Sequence, residues 1–167
     1  MLRSSIPSAT SAGSLLRLLA VIVVCLAVGG IAGAVTVPEV RGWYQTIAKP
    51  AFTPPDRVFG PVWSTLYPMM ALAGWLAWRR DRFAWSSASL RLFLLQLALN
   101  FGWSFLFFSY HWLLAASIEV SLLWGAILMT VLEFRRRDSR AAILMLPYLL
   151  WVSLATALTW TIWSMNV

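Results

Sequence analysis

The sequence predicts an all-α integral membrane protein: a five-transmembrane-helix bundle with a structured loop, rich in proline and aromatics, between helices 1 and 2. Three observations predict it. The chain of 167 residues is 60% hydrophobic and only 11% charged, where a soluble domain carries about 25% charged and roughly 45–50% apolar residues. Apolar runs long enough to cross a hydrocarbon layer of about 30 Å, which takes about 20 residues, recur along it. The arginines collect between those runs, so the net charge of +7 reads as a topology signal rather than a nucleic-acid footprint. A water-soluble enzyme and a nucleic-acid partner are excluded on these grounds. A single cysteine, Cys25, and a single histidine, His111, leave no disulfide framework and no Cys/His metal site, and neither metal nor resident cofactor is expected.

The spans follow in order. Residues 1–14, rich in Ser and Ala, read as a mobile tail, and 15–167 as one membrane domain. The first span runs over 18–37, uncharged, with Arg17 at its entry. Local pattern alone also fits a cleavable leader, with Arg3 and Arg17 before an apolar stretch and Ala32-Gly33-Ala34 as a small-residue site. The second span covers 61–78 and stops at Arg79-Arg80-Asp81-Arg82. From Leu92 to Glu119 the chain is too long for one crossing, and it breaks at Ser109-Tyr110-His111-Trp112 into spans at 92–109 and 113–134. Arg135-Arg136-Arg137-Asp138 ends the fourth, and the fifth covers 141–163. Ten arginines fall on the side of the N-terminus and of the 79–91 and 135–140 loops, against Arg41, Lys49 and Arg57 on the other. That bias places the N-terminus in the cytoplasm and the first loop and C-terminus outside, with a bacterial membrane as the expected setting.

The first loop is unlike a spacer. Four prolines (50, 54, 55 and 61) occur in twelve positions, fixing φ and removing backbone donors. Pro61 suits the first turn of a helix, where its missing N–H costs nothing. Trp43, Tyr44, Phe52 and Phe59 stand among them. The residues alone fit a structured lid and an interfacial aromatic belt equally well.

The run Trp43-Tyr44, Lys49-Pro50, Phe52, Pro54-Pro55, continued by Phe59-Gly60-Pro61-Val62-Trp63-Ser64-Thr65-Leu66-Tyr67, resembles the TspO/MBR family of tryptophan-rich sensory and translocator proteins. Gln96-Leu97-Ala98-Leu99-Asn100 with Trp103 and Phe107-Phe108 resembles its third helix, and Pro147 through Leu158 its fifth. The resemblance covers about residues 18–166. It implies a five-helix bundle, commonly a homodimer, with a ligand cavity beneath the first loop. It also implies porphyrins and haem-type tetrapyrroles as ligands, besides sterols and synthetic isoquinoline or benzodiazepine compounds. Tyr44, Gly60, Trp63, Tyr67, Asn100, Trp103, Trp151 and Ala155 match family positions associated with binding. Trp63 and Trp151 would be stacking walls, Tyr44 and Asn100 hydrogen-bonding groups, and Ala155 a position that must stay small. Arg57 stands where the family often has an aromatic residue, putting a cation near the mouth that suits a porphyrin carboxylate. Trp160 and Ser164 occupy the C-terminal positions where a sterol-type motif needs tyrosine and a basic residue. Only Val40, Tyr44 and Lys49 fit its loose pattern.

Helical spacing supports a cavity independently. Gln96, Asn100, Trp103 and Phe107 share one face, as do Trp63, Tyr67, Met70 and Gly74, and Tyr148, Trp151, Ala155 and Leu158. Three faces mixing aromatic, polar and small residues suit a flat apolar ligand; ordinary helix packing, with Asn and Gln as glue, is the bland version of each. The G-x-x-x-G from Gly29 to Gly33 permits close contact inside the bundle or between copies. Glu119 lies inside a span and must face protein, be protonated or find a partner. His111 belongs to a turn at the membrane edge, away from any haem position. The function expected is a binding and sensory protein for porphyrin-type ligands in membrane lipid, regulating tetrapyrrole or stress responses. Two alternatives stand beside it: a porphyrin-degrading enzyme, in which Trp63 and Trp151 are oxidised by a photoexcited macrocycle, and a transporter.

Overall fold

The computed structural model describes residues 8–167, and it is helical throughout its regular structure. The first seven residues of the predicted tail lie outside the described residues. Helix α1 spans Ala12–Arg41, beginning six residues before Leu18. Ser11 is the cause: its hydroxyl accepts the Ser14 N–H at 3.3 Å, satisfying one of the donors a helix start leaves open. Gly42 ends α1, and a single further turn follows over Trp43–Thr46.

Helix α2 covers Phe59–Arg80, with Pro61 inside its first turn. Ser87 caps α3, Ala88–Ser104, and the last turn of that helix widens into a π turn over Phe105–Ser109. The chain reverses at His111, whose φ of 55° is left-handed, and α4 runs Leu113–Arg137. Asp138 alone separates it from α5, Ser139–Met165. The break expected at 109–112 is where the chain turns.

Four of these helices are long and apolar enough to cross a membrane: the one from Ala12 on, Ala88–Ser109, Leu113–Arg137 and Ser139–Met165. The chain is therefore a multi-pass membrane protein; among the described residues, four of the five long helices have the length and composition of a span. Helix α2 is the exception. Its 22 residues are enough in length, but Pro61, Pro68, Ser64, Thr65, Trp63, Tyr67, Trp75 and Trp78 make it too polar on average.

Packing compensates. Helix α2 touches α1, α3, α4 and α5, and Tyr67, Met70, Ala71, Trp75 and Trp78 are all buried. Helices α1, α2, α5, α4 and α3 neighbour one another in that order, and α1 closes the ring against α3 and its π turn. Gly74 lets α3 approach: a Cβ there would lie 2.9 Å from the Phe93 ring. Leu16, Leu19, Val23, Leu122, Ile143 and Leu150 are exposed on the outside, an apolar exterior suited to lipid.

One end of the bundle is fastened by arginines. Arg80 meets Asp138 at 3.0 Å, and Arg137 meets Asp81 at 3.1 Å and Glu133 at 2.9 Å. The Arg17 guanidinium sits 4.7 Å over the Phe83 ring, and Trp75 Nε1 donates to the Ser14 carbonyl at 3.0 Å. Asp138 does double duty here, since its Oδ1 also accepts the Arg140 N–H at 3.1 Å and so caps α5. Its hydrogen bonds to Arg140 foremost, and to Arg80, hold the carboxyl down at about 2.

Asp138→Asn should therefore lower stability in detergent by about 1–2 kcal/mol at neutral pH, the scale of a lost cap with its ion pair. A carboxyl depressed in the fold contributes fully above its unfolded value of about 3.9 and loses that contribution as pH falls toward 2. Thermal melts of the two proteins should differ at about pH 6, narrow below about pH 4 and converge only near pH 2; a constant gap would contradict this assignment.

Candidate functional site

The end of the bundle opposite the arginines holds a cavity of about 380 Å³. Four helices build it. Helix α2 brings Phe59, Gly60, Trp63, Ser64 and Tyr67 from its first turns, and α5 brings Trp151, Leu154, Ala155 and Leu158 from its second half. Trp103 and Ser104 end α3, and Phe108 enters from the π turn. Helix α1 contributes Leu26, Gly29, Gly30, Ala32, Gly33, Thr36 and Val37. The cavity wall is mostly ring and aliphatic carbon, with the hydroxyls of Ser64, Tyr67, Ser104 and Thr36 as polar points. Leu26 and Val37 are about half exposed, so the chamber opens on the flank of α1.

The aromatic walls are held in place by one another. Trp63 packs against Tyr67 at 5.3 Å between ring centres and against Tyr148 at 6.1 Å. Phe59 meets Trp151 edge-on at 5.7 Å, and Trp103 stacks on Phe107 at 5.2 Å. Tyr67 is fixed at its far end too, where its hydroxyl donates to Asn100 Oδ1 at 2.7 Å in a buried contact.

Of the residues expected at the site, Gly60, Trp63, Tyr67, Trp103, Trp151, Ala155 and Leu158 line the cavity. Tyr44, Asn100 and Phe107 stand one layer behind. Asn100 reaches the chamber only through Tyr67. Phe107 backs Trp103, and Tyr44 packs 6.1 Å from Phe107 and 6.0 Å from Phe108. Gln96 and Met70 are fully buried and Gly74 faces Phe93, so those stripes serve packing below the cavity floor. Arg57 is exposed in the short turn Asp56–Val58, away from the wall.

The glycines of α1 were legible as a close-contact motif but not as chamber wall. A Cβ at Gly29 would lie 2.5 Å from two carbons of the Tyr67 ring, whereas one at Gly30 or Gly33 would meet nothing within 4 Å. Gly29 lets α1 approach Tyr67; Gly30 and Gly33 leave room.

The first loop connects the two rims, from Val37 to Phe59, and it is tied down on the far side of the bundle. Asn166, just beyond α5, accepts the Ala48 N–H at 3.0 Å and donates to the Ala48 carbonyl at 3.0 Å. Trp43 stacks on His111 at 3.9 Å, and His111 Nε2 lies 3.2 Å from Glu39 Oε2. Gln45 donates to Asp56 at 2.7 Å, and Lys49 Nζ to the carbonyls of Tyr44 and Ile47.

The family model described as "TspO/MBR family" matches residues 21–164. Among similar proteins, the "Tryptophan-rich protein TspO" of Chlorobaculum tepidum is 42% identical over 147 residues, 85% of this chain and 90% of that one. The protein of the same name from Archaeoglobus fulgidus is 36% identical, covering 92% of this chain and 99% of its own length. The "Translocator protein" of Homo sapiens is 35% identical over 74% of this chain and 75% of its own.

The contrast between the glycines is testable. Gly29→Ala should displace Tyr67 from Asn100 and cost about 1–3 kcal/mol, as overpacking does. Gly30→Ala should leave stability unchanged or raise it by up to about 1 kcal/mol, as removal of a helical glycine does. Thermal unfolding followed by tryptophan emission separates the two, and equal melting temperatures would refute the assignment.

Proposed function

The chain belongs to the TspO/MBR family, and from that premise we propose a membrane-embedded binding and sensory protein for porphyrins and similar flat, apolar ligands. The observation that carries the reading is the chamber itself: about 380 Å³, within the range of about 300–1,000 Å³ of small-molecule sites, and walled by Trp63, Tyr67, Trp103 and Trp151. Indole and phenol rings stack on a macrocycle at about 0.5–1.5 kcal/mol per contact beyond the area they bury. Ser64, Ser104 and Thr36 offer hydrogen bonds to its few polar edges. The opening on the α1 flank gives a wide ring room to protrude and gives lipid-dissolved ligands a way in. The curated relatives' names, a tryptophan-rich sensory protein and translocator proteins, are consistent with this class of role.

In this reading α2 is the fifth span, its tryptophans and Tyr67 turned into the bundle, and the first loop is the lid. The arginine end faces the cytoplasm of a bacterial cell, the loop and the C-terminus face outward, and two copies pair as a homodimer. A second reading, light-dependent degradation of a bound porphyrin with molecular oxygen as the terminal oxidant, is favoured by one observation: Trp63 and Trp151 both present rings that a photoexcited macrocycle can oxidise to the same cavity.

The test is a titration of the purified protein with protoporphyrin IX in the dark, following tryptophan quenching. Trp63→Phe and Trp151→Phe should each weaken binding by about 2–10-fold, and Ala155→Leu should weaken it more by filling the floor. Equal affinity in all four proteins would remove the ligand from this chamber. Bleaching of the bound pigment on illumination, lost in the two tryptophan variants, would select the enzymatic reading.

A further inference from the structure

Glu119 takes no part in the chamber wall, yet it is the least explained group in the molecule. It stands six residues into α4, a helix apolar enough to span a membrane. Glu133, near the other end of the same helix, meets Arg136 and Arg137 at 3.7 and 2.9 Å. Glu119 meets no cation among the described residues. Both of its carboxyl oxygens are buried, and neither has a protein group within hydrogen-bonding distance.

The carboxyl is turned toward α3, where a Cβ on Gly102 would lie 3.9 Å from Oε1. The next residue is Trp103, whose ring forms part of the chamber wall while its Nε1 is buried and equally without a protein partner. On α5, Tyr148 is wholly buried, its hydroxyl facing Asn100. The remaining titratable groups around Tyr148 are Tyr67 of α2, already bonded to Asn100, and Cys25 of α1. None can offer positive charge. An ionised carboxylate in so apolar a place would have neither counter-ion nor donor to replace its lost water. A neutral carboxyl needs no counter-ion and fits there at far lower cost.

We propose that Glu119 is a proton-binding site within the bilayer, neutral at pH 7 and linked to the ligand chamber through Trp103. Because Trp103 is a wall of the chamber and follows directly on Gly102, which the carboxyl faces, a guest that shifts this turn of α3 alters how tightly Glu119 holds its proton. Linkage makes the effect mutual, so occupancy of the chamber depends on pH.

Infrared difference spectroscopy of the ligand-free, full-length protein in lipid vesicles tests the site directly. A protonated-carboxyl C=O band, sensitive to deuterium exchange, should be present at about pH 7 and missing in Glu119→Gln. Glu119→Asp should shift the band without removing it and serves as the check on folding. A spectrum without such a band in the wild-type protein overturns the proposal. The band should also move in Trp103→Phe, and an unmoved band breaks the link to the chamber. Protoporphyrin IX affinity in the dark should change at least ~3-fold between about pH 6 and pH 9 in the wild type and stay flat in Glu119→Gln; identical profiles overturn the link. If the wild type binds no protoporphyrin, the ligand proposed above fails, while the carboxyl band still decides the proton site.

Discussion

The whole architecture answers to the composition of α2. A helix carrying Trp63, Tyr67, Trp75, Trp78 and two prolines has too many polar ring atoms and too few aliphatic ones to lie open to hydrocarbon. It is therefore packed inward, with α1, α3, α4 and α5 all in contact with it, while Ser64, Thr65, Pro68 and Leu72 stay on the outside. The polar atoms of its rings find partners inside: Trp75 with the Ser14 carbonyl, Trp78 with the Ala84 carbonyl, Tyr67 with Asn100. The helices packed against it then need aliphatic outer faces and small or polar inner ones, and that is how their residues are distributed. The chamber follows from the same packing. Where α2 carries its bulky rings at one end and α1 faces them with glycines, the helices do not close completely.

The two ends of the bundle are held by different physics. At the arginine end, guanidinium–carboxylate pairs and a helix cap converge on Asp138 and Asp81, and the contacts are short and charge-assisted. At the chamber end, ring stacking, the His111–Glu39 contact and hydrogen bonds from Asn166, Gln45 and Lys49 do the fastening. Stacked rings tolerate small displacements that an ion pair resists. The end that holds the chamber is thus the end held by the more forgiving contacts.

Much of this was legible in the sequence because lipid imposes strong rules. Apolar runs, arginine clusters and the break at 109–112 place the helices to within a few residues. Pro61 marks the start of α2 through its missing N–H. Six residues of the chamber wall lie on faces legible from helical periodicity, and the seventh, Gly60, was implied by the family resemblance alone. Periodicity reports which side chains share a face, but not whether that face meets a void or another ring, so Asn100, Phe107 and Tyr44 could not be separated from the wall they support. The part played by Gly29, Gly30 and Gly33 was hidden because a missing side chain carries no pattern of its own; only Tyr67 opposite distinguishes the glycine that packs from the two that leave space. Ser11 as the start of α1 was masked by its Ser- and Ala-rich surroundings, and the widened turn at Phe105–Ser109 leaves no compositional mark.

The tie between Ala48 and Asn166 joins positions 118 residues apart, and it sets an order of events during synthesis. At a ribosomal pace of about 5–20 residues per second, the loop's anchor is made some 6–24 s after the loop itself. Through that interval the loop has emerged with its aromatic residues, and α1 and α2 can already be in place, but the peptide group of Ala48 has nothing to hold. The first loop is therefore among the last segments to settle, and closure of the chamber awaits arrival of the final helix.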